Sequence, residues 1–166
     1  MSSKSCNEKI VIRKARREDC SKILDIGEEA WSKQGMSYRL KEKFGIVGSR
    51  TPGQRIRETL LGLLQKNLDN TLVAEVNGNV AGFLIYSFDD DRKIGHIGYN
   101  AVSYSFRGKG IGTRLVREAL SVFKERGMRY AMVFTDLDEA HAAARRVYEK
   151  CGFKPLVKHV TYFMKL

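Results

Sequence analysis

Between a strand-like apolar run and a helix-like amphipathic one, the chain reads SFRGKGIGTRLVREAL over residues 105–120, with glycine at 108, 110 and 112 and the cations Arg107, Lys109 and Arg114 among them. A bend so poor in side chain can take positive φ and bring main-chain N–H groups close to a ligand, because no Cβ intervenes. The helix that opens near Gly112 adds the unpaired N–H groups of its first turn and the positive end of its dipole. An anion, above all a phosphate, is stabilised at such a place. Arg107, Lys109 and Arg114 stand where they can contact phosphate oxygens at the rim. Strand, bare bend and helix in that order require an α/β architecture with its ligand at the carboxyl end of a strand.

Counting excludes two familiar phosphate loops. A P-loop requires Gly-Lys followed by Ser or Thr, but Lys109 is followed by Gly110. A dinucleotide fingerprint starting at Gly108 requires glycine where Thr113 stands, and one starting at Gly110 requires it where Leu115 stands.

The rest of the chain supplies the frame. KIVIRKA alternates Ile10 and Ile12 with charged neighbours, as a half-buried strand does, and REDCSKILDIGEEAW places Cys20, Ile23, Leu24 and Ile26 near helical spacing. Met36, Leu40 and Phe44 are four apart, and Gly45 can end a short helix there. Thr51, Pro52 and Gln54 spell a helix start with a capping box, and Ile56, Leu60, Leu63 and Leu64 give that helix one apolar face. NTLVAEVNGNVAGFLIYSF predicts two strands joined by a turn at Asn77-Gly78. KIGHIGYNAVSYS predicts a further strand, and Ile111, Leu115, Ala119, Val122 and Phe123 a helix stopped by Gly127. MRYAMVFTDL reads as a buried strand. Ala140, Ala144, Val147, Tyr148 and Cys151 mark a helix running to Gly152, and VKHVTYFMKL reads as a final strand. The order β-α-α-β-β-β-α-β-α-β predicts one domain over residues 1–166, a mixed sheet with helices on both faces whose later strands run parallel.

Hydrophobic residues at 43% and charged ones at 30%, without repeats, fit an ordered chain. The balance of 30 Lys and Arg against 19 Asp and Glu gives +11 and a pI near 9.7, a surface that attracts anions without saying which. The N-terminus lacks the apolar stretch of a signal peptide and VAGFLIYSF is too short to span a bilayer, so a soluble cytoplasmic protein with no membrane partner is expected. Cys6, Cys20 and Cys151 lie far apart without CxxC spacing, which suits reduced thiols and neither a disulfide framework nor a metal site.

RGKGIG resembles the R/Q-x-x-G-x-G/A loop of the GNAT N-acetyltransferase family, with Arg107, Gly110 and Gly112 at the required positions. HAAARRVYEKCGF, residues 141–153, is similar to that family's N-x-x-A-x-x-[apolar]-Y-x-x-x-G-F helix, and IVIRKARREDCSKILDI to its opening strand and helix. The likeness spans nearly the whole chain in element order and leaves residues 31–50 unmatched. Ser105 stands where the family commonly has a carboxylate, Tyr104 where proline is frequent and His141 where asparagine is usual. The resemblance implies a single α/β domain with a mixed, partly splayed sheet and helices on both faces. It further implies acetyl-coenzyme A as co-substrate and a primary amine as acceptor, a small molecule, a lysine or a protein N-terminus, attacked directly in a ternary complex. The pyrophosphate would be held by Arg107, Gly108, Lys109, Gly110, Ile111, Gly112 and Thr113, with Lys109 and Arg114 near the outer phosphates. Ala101 and Val102 at the strand end, with His141, Ala144 and Tyr148 on the later helix, would contact the rest of the coenzyme. A homodimer through the final strands is compatible with the resemblance.

Acetyl transfer from a thioester needs an uncharged amine, a donor for the carbonyl oxyanion and a proton for the departing thiolate. The resemblance nominates Tyr148 as the general acid, although Tyr148 also belongs to the apolar face of its helix, and the Val102 main-chain N–H as the oxyanion donor. His96 is the candidate base. It lies six residues before Val102 on the same strand, where histone-acetylating relatives carry a glutamate, and equal parity predicts the same sheet face. Histidine is the side-chain type suited to proton removal near neutral pH, but a histidine at a strand start equally suits a surface position. Tyr99 and Asn100 are expected on the acceptor side, Asp136 and Asp138 as helix caps or site carboxylates, and Trp31, Tyr38 and Phe44 as walls of an acceptor pocket. The competing reading is a coenzyme-A-binding module without turnover, or a basic domain for RNA or the ribosome. No RNP-like aromatic motif or helix-turn-helix pattern supports nucleic acid, and the cations are scattered.

Overall fold

The computed structural model describes residues 9–166, so Cys6 lies outside the described residues. The elements are β1 (Ile10–Lys14), α1 (Cys20–Trp31), α2 (Gly35–Phe44), α3 (Pro52–Asn67), β2 (Thr71–Val76), β3 (Asn79–Asp89), β4 (Ile94–Val102), α4 (Ile111–Glu125), β5 (Tyr130–Val133) and α5 (Ala142–Lys150). The five strands form one open sheet in chain order, antiparallel until β4 meets β5 in parallel.

Each face of the sheet carries its own apolar layer. On one, α4 and α5 bury Ile111, Leu115, Ala119, Phe123 and Tyr148 against Leu72, Leu84, Tyr86 and Ile97. On the other, α1 and α3 bury Ile23, Ile26, Leu60 and Leu64 against Val73, Phe83 and Ile85. Covered on both faces, β3 is buried from Val80 to Tyr86, which is why its sequence reads as a continuous apolar run rather than an alternation.

Local signals act as their chemistry requires. The Gln54 N–H donates to Thr51 Oγ1 at 3.2 Å and the Thr51 N–H to Gln54 Oε1 at 2.9 Å, closing the capping box of α3. Asn77 and Gly78 take φ of 49° and 82°, the left-handed pair that a two-residue hairpin uses. Helix α2 ends at Gly45, whose φ is 77°, so three helices rather than two separate β1 from β2. Asp19, 5% exposed, ties β1 to the start of α1: it accepts from Arg13 Nη1 and Nη2 at 2.7 and 3.0 Å and from the Arg16 N–H at 2.7 Å.

Two expectations fail at the far edge of the sheet. MRYAMVFTDL yields only the four-residue β5, an edge strand with Tyr130 and Met132 exposed and only Ala131 and Val133 turned to the α4 layer. VKHVTYFMKL forms no strand, and residues 154–166 run without any regular element. Side chains hold part of this segment: the Phe163 ring lies 5.3 Å from Phe44 of α2, and His159 lies 5.9 Å from Phe134. Alternation belongs to side chains, whereas a strand also needs a partner's main chain, and Pro155 has no N–H to offer one. No helix among the described residues is long and apolar enough to cross a membrane.

Candidate active site

The site is built on β4. Over Ile94–Ile97 this strand pairs with both β3 and β5, but from Gly98 onward β3 is its only strand partner among the described residues. Ile97 stands opposite Tyr86 and Asn100 opposite Leu84, so β4 spends two residues, Gly98 and Tyr99, where β3 spends Ile85 alone. Such a bulge inverts the alternation of side chains beyond it. Before it, Gly95 and Ile97 face the α4 layer, Gly95 so closely that a Cβ there would lie 2.3 Å from Phe123. After it, Val102 packs into that layer and Asn100 reaches Tyr148 of α5.

His96 therefore faces away from the side that Val102 occupies, which corrects the expectation drawn from equal parity. The six-residue spacing holds the face only in a regular strand. His96 pairs with Ser87, and four residues of strand, about 13 Å, separate it from Asn100. The structure does not bring it to Tyr148.

The departure of β5 leaves the last part of β4 with a bare edge. The Ser103 N–H donates to the Ala81 carbonyl at 2.9 Å. In an antiparallel ladder that alternates, Ala101 and Ser103 then direct their main-chain groups at β3, and Val102 directs its N–H and C=O outward. Ala101 is thus spent on β3, with its side chain against the α1 and α3 layer. The outward Val102 carbonyl accepts from Arg107 Nε at 3.1 Å, and the Arg107 guanidinium lies 3.8 Å over the Tyr104 ring. Arg107, expected at the phosphate rim, is folded back onto the strand end.

Beside that edge stands the glycine bend. Gly108 and Gly110 take φ of 78° and 75°, and Gly110 is the N-cap of α4 with neither a capping side chain nor an acid in the first turn. The Arg114 N–H closes the turn on the Gly110 carbonyl at 3.1 Å, which leaves the N–H groups of Ile111, Gly112 and Thr113 at the mouth without intrahelical partners. A Cβ at 108 or 110 would meet nothing within 4 Å, whereas at 112 it would touch Val147 at 3.6 Å and Val102 at 3.9 Å. The first two glycines serve the backbone path, and the third lies where a Cβ would make only ordinary contact with α5 and β4. Arg114 reaches the Ile10 carbonyl at 3.4 Å, and Lys109 Nζ lies 5.5 Å from the Phe106 ring. The mouth presents main-chain donors and a positive dipole end, with no acidic residue in the first turn of α4, and it suits a phosphate group.

On the α5 side Tyr148 is 6% exposed, its ring edge-on to Phe153 and its hydroxyl oxygen 2.9 Å from Asn100 Nδ2. Burial pushes the phenol above its ordinary pKa and the Asn100 amide draws it back down. Ala144 packs against the α4 layer. His141 pairs with Asp138 through Nδ1 and donates its main-chain N–H to Asp138 Oδ1 at 3.1 Å, so Asp138 caps the turn ahead of α5. Asp138 also takes Arg39 of α2, and Arg145 Nη1 donates to the carbonyls of Asp136 and Asp138 at 2.8 and 2.6 Å. The donor atoms of Asp136, Asp138 and His141 lie within 4.8 Å of one another. With Arg39 bound to Asp138, this trio reads as an anchor of α5 to α2 rather than a set of metal ligands.

The other side of β4 carries Tyr99, set edge-on to Trp31 at 5.3 Å, and Trp31 in turn meets Phe83 at 6.3 Å. Tyr38 instead lines a groove of about 390 Å³ with Glu28, Lys41 and Glu42, and Phe44 goes to Phe163. The three aromatic residues expected to wall one pocket occupy three places, and Tyr99 and Asn100 point to opposite faces. Sequence reasoning missed Glu29, which accepts the Tyr104 N–H at 2.9 Å and so fastens α1 to the turn after β4.

Known proteins resemble this chain in sequence and in fold. A family model described as "Acetyltransferase (GNAT) family" matches residues 34–153. An uncharacterized N-acetyltransferase of Archaeoglobus fulgidus is 28% identical over 142 residues, 82% of this chain and 88% of the relative. One of Methanocaldococcus jannaschii is 26% identical over 86% of this chain, which spans 60% of that longer relative. Among solved structures, a GNAT family acetyltransferase from Brucella melitensis in complex with acetyl-CoA superposes with a TM-score of 0.60 at 26% identity, covering 89% of this chain and 84% of the other.

Proposed function

The chain belongs to the GNAT acetyltransferase family, and from that premise we propose that it moves the acetyl group of acetyl-coenzyme A to a primary amine by direct attack, both substrates being bound together at the open edge of β4. Acetyl-coenzyme A supplies a thioester whose carbonyl carbon an uncharged amine can attack. The bend from Arg107 to Thr113 holds the diphosphate through its main-chain N–H groups, with Lys109 and Arg114 near the outer phosphates. The outward N–H of Val102 donates to the carbonyl oxygen as negative charge gathers there. As the C–N bond forms and the C–S bond breaks, the Tyr148 hydroxyl gives its proton to the departing sulfur. Proton loss from the amine is assigned to water in the cleft, because His96 faces the other layer. One observation carries this reading: the Val102 N–H and the Tyr148 hydroxyl, reached through Asn100, meet the same unpaired stretch of β4 next to the glycine bend.

The test is thermal melting with and without acetyl-coenzyme A, followed by free-thiol release across small amines, lysine peptides and peptides with free N-termini. A hundredfold excess over Kd stabilises the folded state by about 2.7 kcal/mol. Tyr148→Phe is expected to lower kcat by about a hundredfold with little change in coenzyme binding. Undiminished turnover removes Tyr148 from the mechanism, a melting shift without thiol release leaves a coenzyme-binding module, and an unchanged melting curve removes the cradle.

The reaction is placed in the cytoplasm, in keeping with Cys20 and Cys151 as free thiols. A homodimer completes the proposal. Tyr130 and Met132 of β5, with Phe134 just beyond, leave the outer edge of the sheet apolar and exposed, an edge that a second copy would cover. Light scattering that gives a monomer mass at micromolar concentration removes it.

A further inference from the structure

Among the β4 residues that face the α4 and α5 layer, Gly95, Ile97 and Val102 are apolar and Asn100 alone is polar. A polar side chain in such a layer costs stability unless its hydrogen bonds are made. Asn100 Nδ2 makes two, to the Gly98 carbonyl at 3.1 Å and to the Tyr148 hydroxyl oxygen at 2.9 Å. The Gly98 carbonyl can only accept, so it requires the nitrogen end of the amide on its side. The second N–H of that nitrogen then points at Tyr148, whose oxygen accepts. Asn100 Oδ1 is 3.3 Å from the same hydroxyl, long for an O–H···O bond.

A phenol held as an acceptor at 2.9 Å spends its own proton only on the long contact to Asn100 Oδ1. When that proton leaves, the phenolate remains in a layer where burial disfavours charge and only a donor at short range can stabilise it. We propose that Asn100 is a positioning residue for acetyl transfer: its amide fixes Tyr148 as an acceptor, keeps the hydroxyl proton available for the leaving sulfur and stabilises the phenolate that the transfer leaves. In this step the O–H bond of Tyr148 breaks and an S–H bond forms on the coenzyme. The electron pair stays on the phenolate beside the Asn100 N–H, and the phenolate regains a proton from water after the amine has lost one to it. This inference rests on the assignment of Tyr148 as the acid.

Two variants of the full chain test it. Asn100→Leu replaces the amide with an apolar group of similar shape, and Asn100→Asp keeps the shape but loses the donor. The Tyr148 titration is followed by NMR on protein labelled with ¹³C at tyrosine Cζ, the signal being assigned by its absence in Tyr148→Phe, and kcat is measured against pH at saturating substrates. Loss of this part-buried hydrogen bond to the charged form raises the phenol pKa by about one unit in Asn100→Leu and by more in Asn100→Asp. The alkaline limb of kcat moves up with it, kcat falls about tenfold and the KM for acetyl-coenzyme A stays within about twofold. In a Tyr148→Phe background Asn100→Leu has no further effect on kcat. An unchanged Tyr148 titration in both variants overturns the proposal, as does an equal loss of kcat with and without the Tyr148 hydroxyl, the mark of a merely structural role. A fully active Tyr148→Phe enzyme overturns the acid assignment and the catalytic part of this inference with it, while the titration still reports whether the amide tunes the phenol. The two failures are thus separable. If Asn100→Leu does not fold, Asn100→Asp carries the same readouts.

Discussion

Gly110 and Gly112 are both glycines of the bend, yet alanine at each should move stability in opposite directions. Gly110 holds φ of 75° at the N-cap of α4. A Cβ there finds open space but meets its own backbone, a penalty of about 1–2 kcal/mol in the left-handed region. Gly112 lies inside the first turn of the helix, and its Cβ would make ordinary contacts at 3.6 and 3.9 Å with Val147 and Val102. Alanine at that position lowers the entropy cost of ordering the helix and gains about 0.5–1 kcal/mol. For a chain of this size 1 kcal/mol moves the melting temperature by about 2–4 °C. Gly110→Ala should therefore melt about 2–8 °C lower than the parent and Gly112→Ala about 1–4 °C higher, measured by circular dichroism in the absence of ligand. Repeating both melts with saturating acetyl-coenzyme A reads the cradle itself. The methyl of Ala at 112 points to Val147 and Val102, so the ligand-induced shift is kept. Any relaxation of residue 110 toward negative φ turns the first-turn N–H groups apart, so the shift shrinks. If Gly110→Ala melts as the parent does and keeps the full ligand shift, the bend does not depend on left-handed geometry and the cradle has been misconstrued.

Two further outcomes follow from other parts of the molecule. The forked Arg13 guanidinium, and beyond it the Arg16 N–H, hold the Asp19 carboxyl below its ordinary pKa against the opposing effect of burial. A depressed carboxyl contributes its stability above the unfolded value of about 4 and loses it as pH falls through the folded one. Asp19→Asn should thus melt several degrees lower at pH 7 and converge on the parent in acid, and a constant difference across that range would refute the ion-pair account. His96→Ala should leave the pH profile of kcat/KM where it is, because its side chain faces away from Asn100 and Val102; a lost acidic limb would return His96 to the mechanism.

The elements whose signals are local were legible from residues alone. Thr51, Pro52 and Gln54 start α3, Asn77 and Gly78 turn the hairpin, and Gly45 and Gly127 end their helices with φ of 77° each. The bend at Gly108–Gly112 was legible for the same reason, since its geometry is a property of a few adjacent residues. What the amino-acid order hid is pairwise. Whether residues 154–166 form a strand depends on a partner's main chain rather than on their own alternation. The exposure of Tyr130 and Met132 follows from β5 standing at the sheet edge, a fact carried by no residue of β5.

The bulge in β4 is the case in which the signal existed and was ambiguous. A glycine inside a strand marks either a bulge or a close approach, and β4 has one of each: Gly95 makes room for Phe123, and Gly98 opens the bulge. Without the extra residue, the face that receives Gly95 and Ile97 would next receive Tyr99 and Ala101, and Asn100 would turn toward α1, out of reach of Tyr148. The bulge begins where β5 stops pairing with β4. One irregularity therefore accompanies both features on which the proposed chemistry rests, a main-chain edge of β4 left by β5 at Val102 and a face inversion that brings Asn100 to the phenol. A parity rule applied across Gly98 selects His96, and the same rule applied from the bulge onward selects Asn100. The side chain that breaks the apolar pattern of that face was the better guide, because a half-buried amide beside such a layer is stabilised by a partner, and its partner is Tyr148.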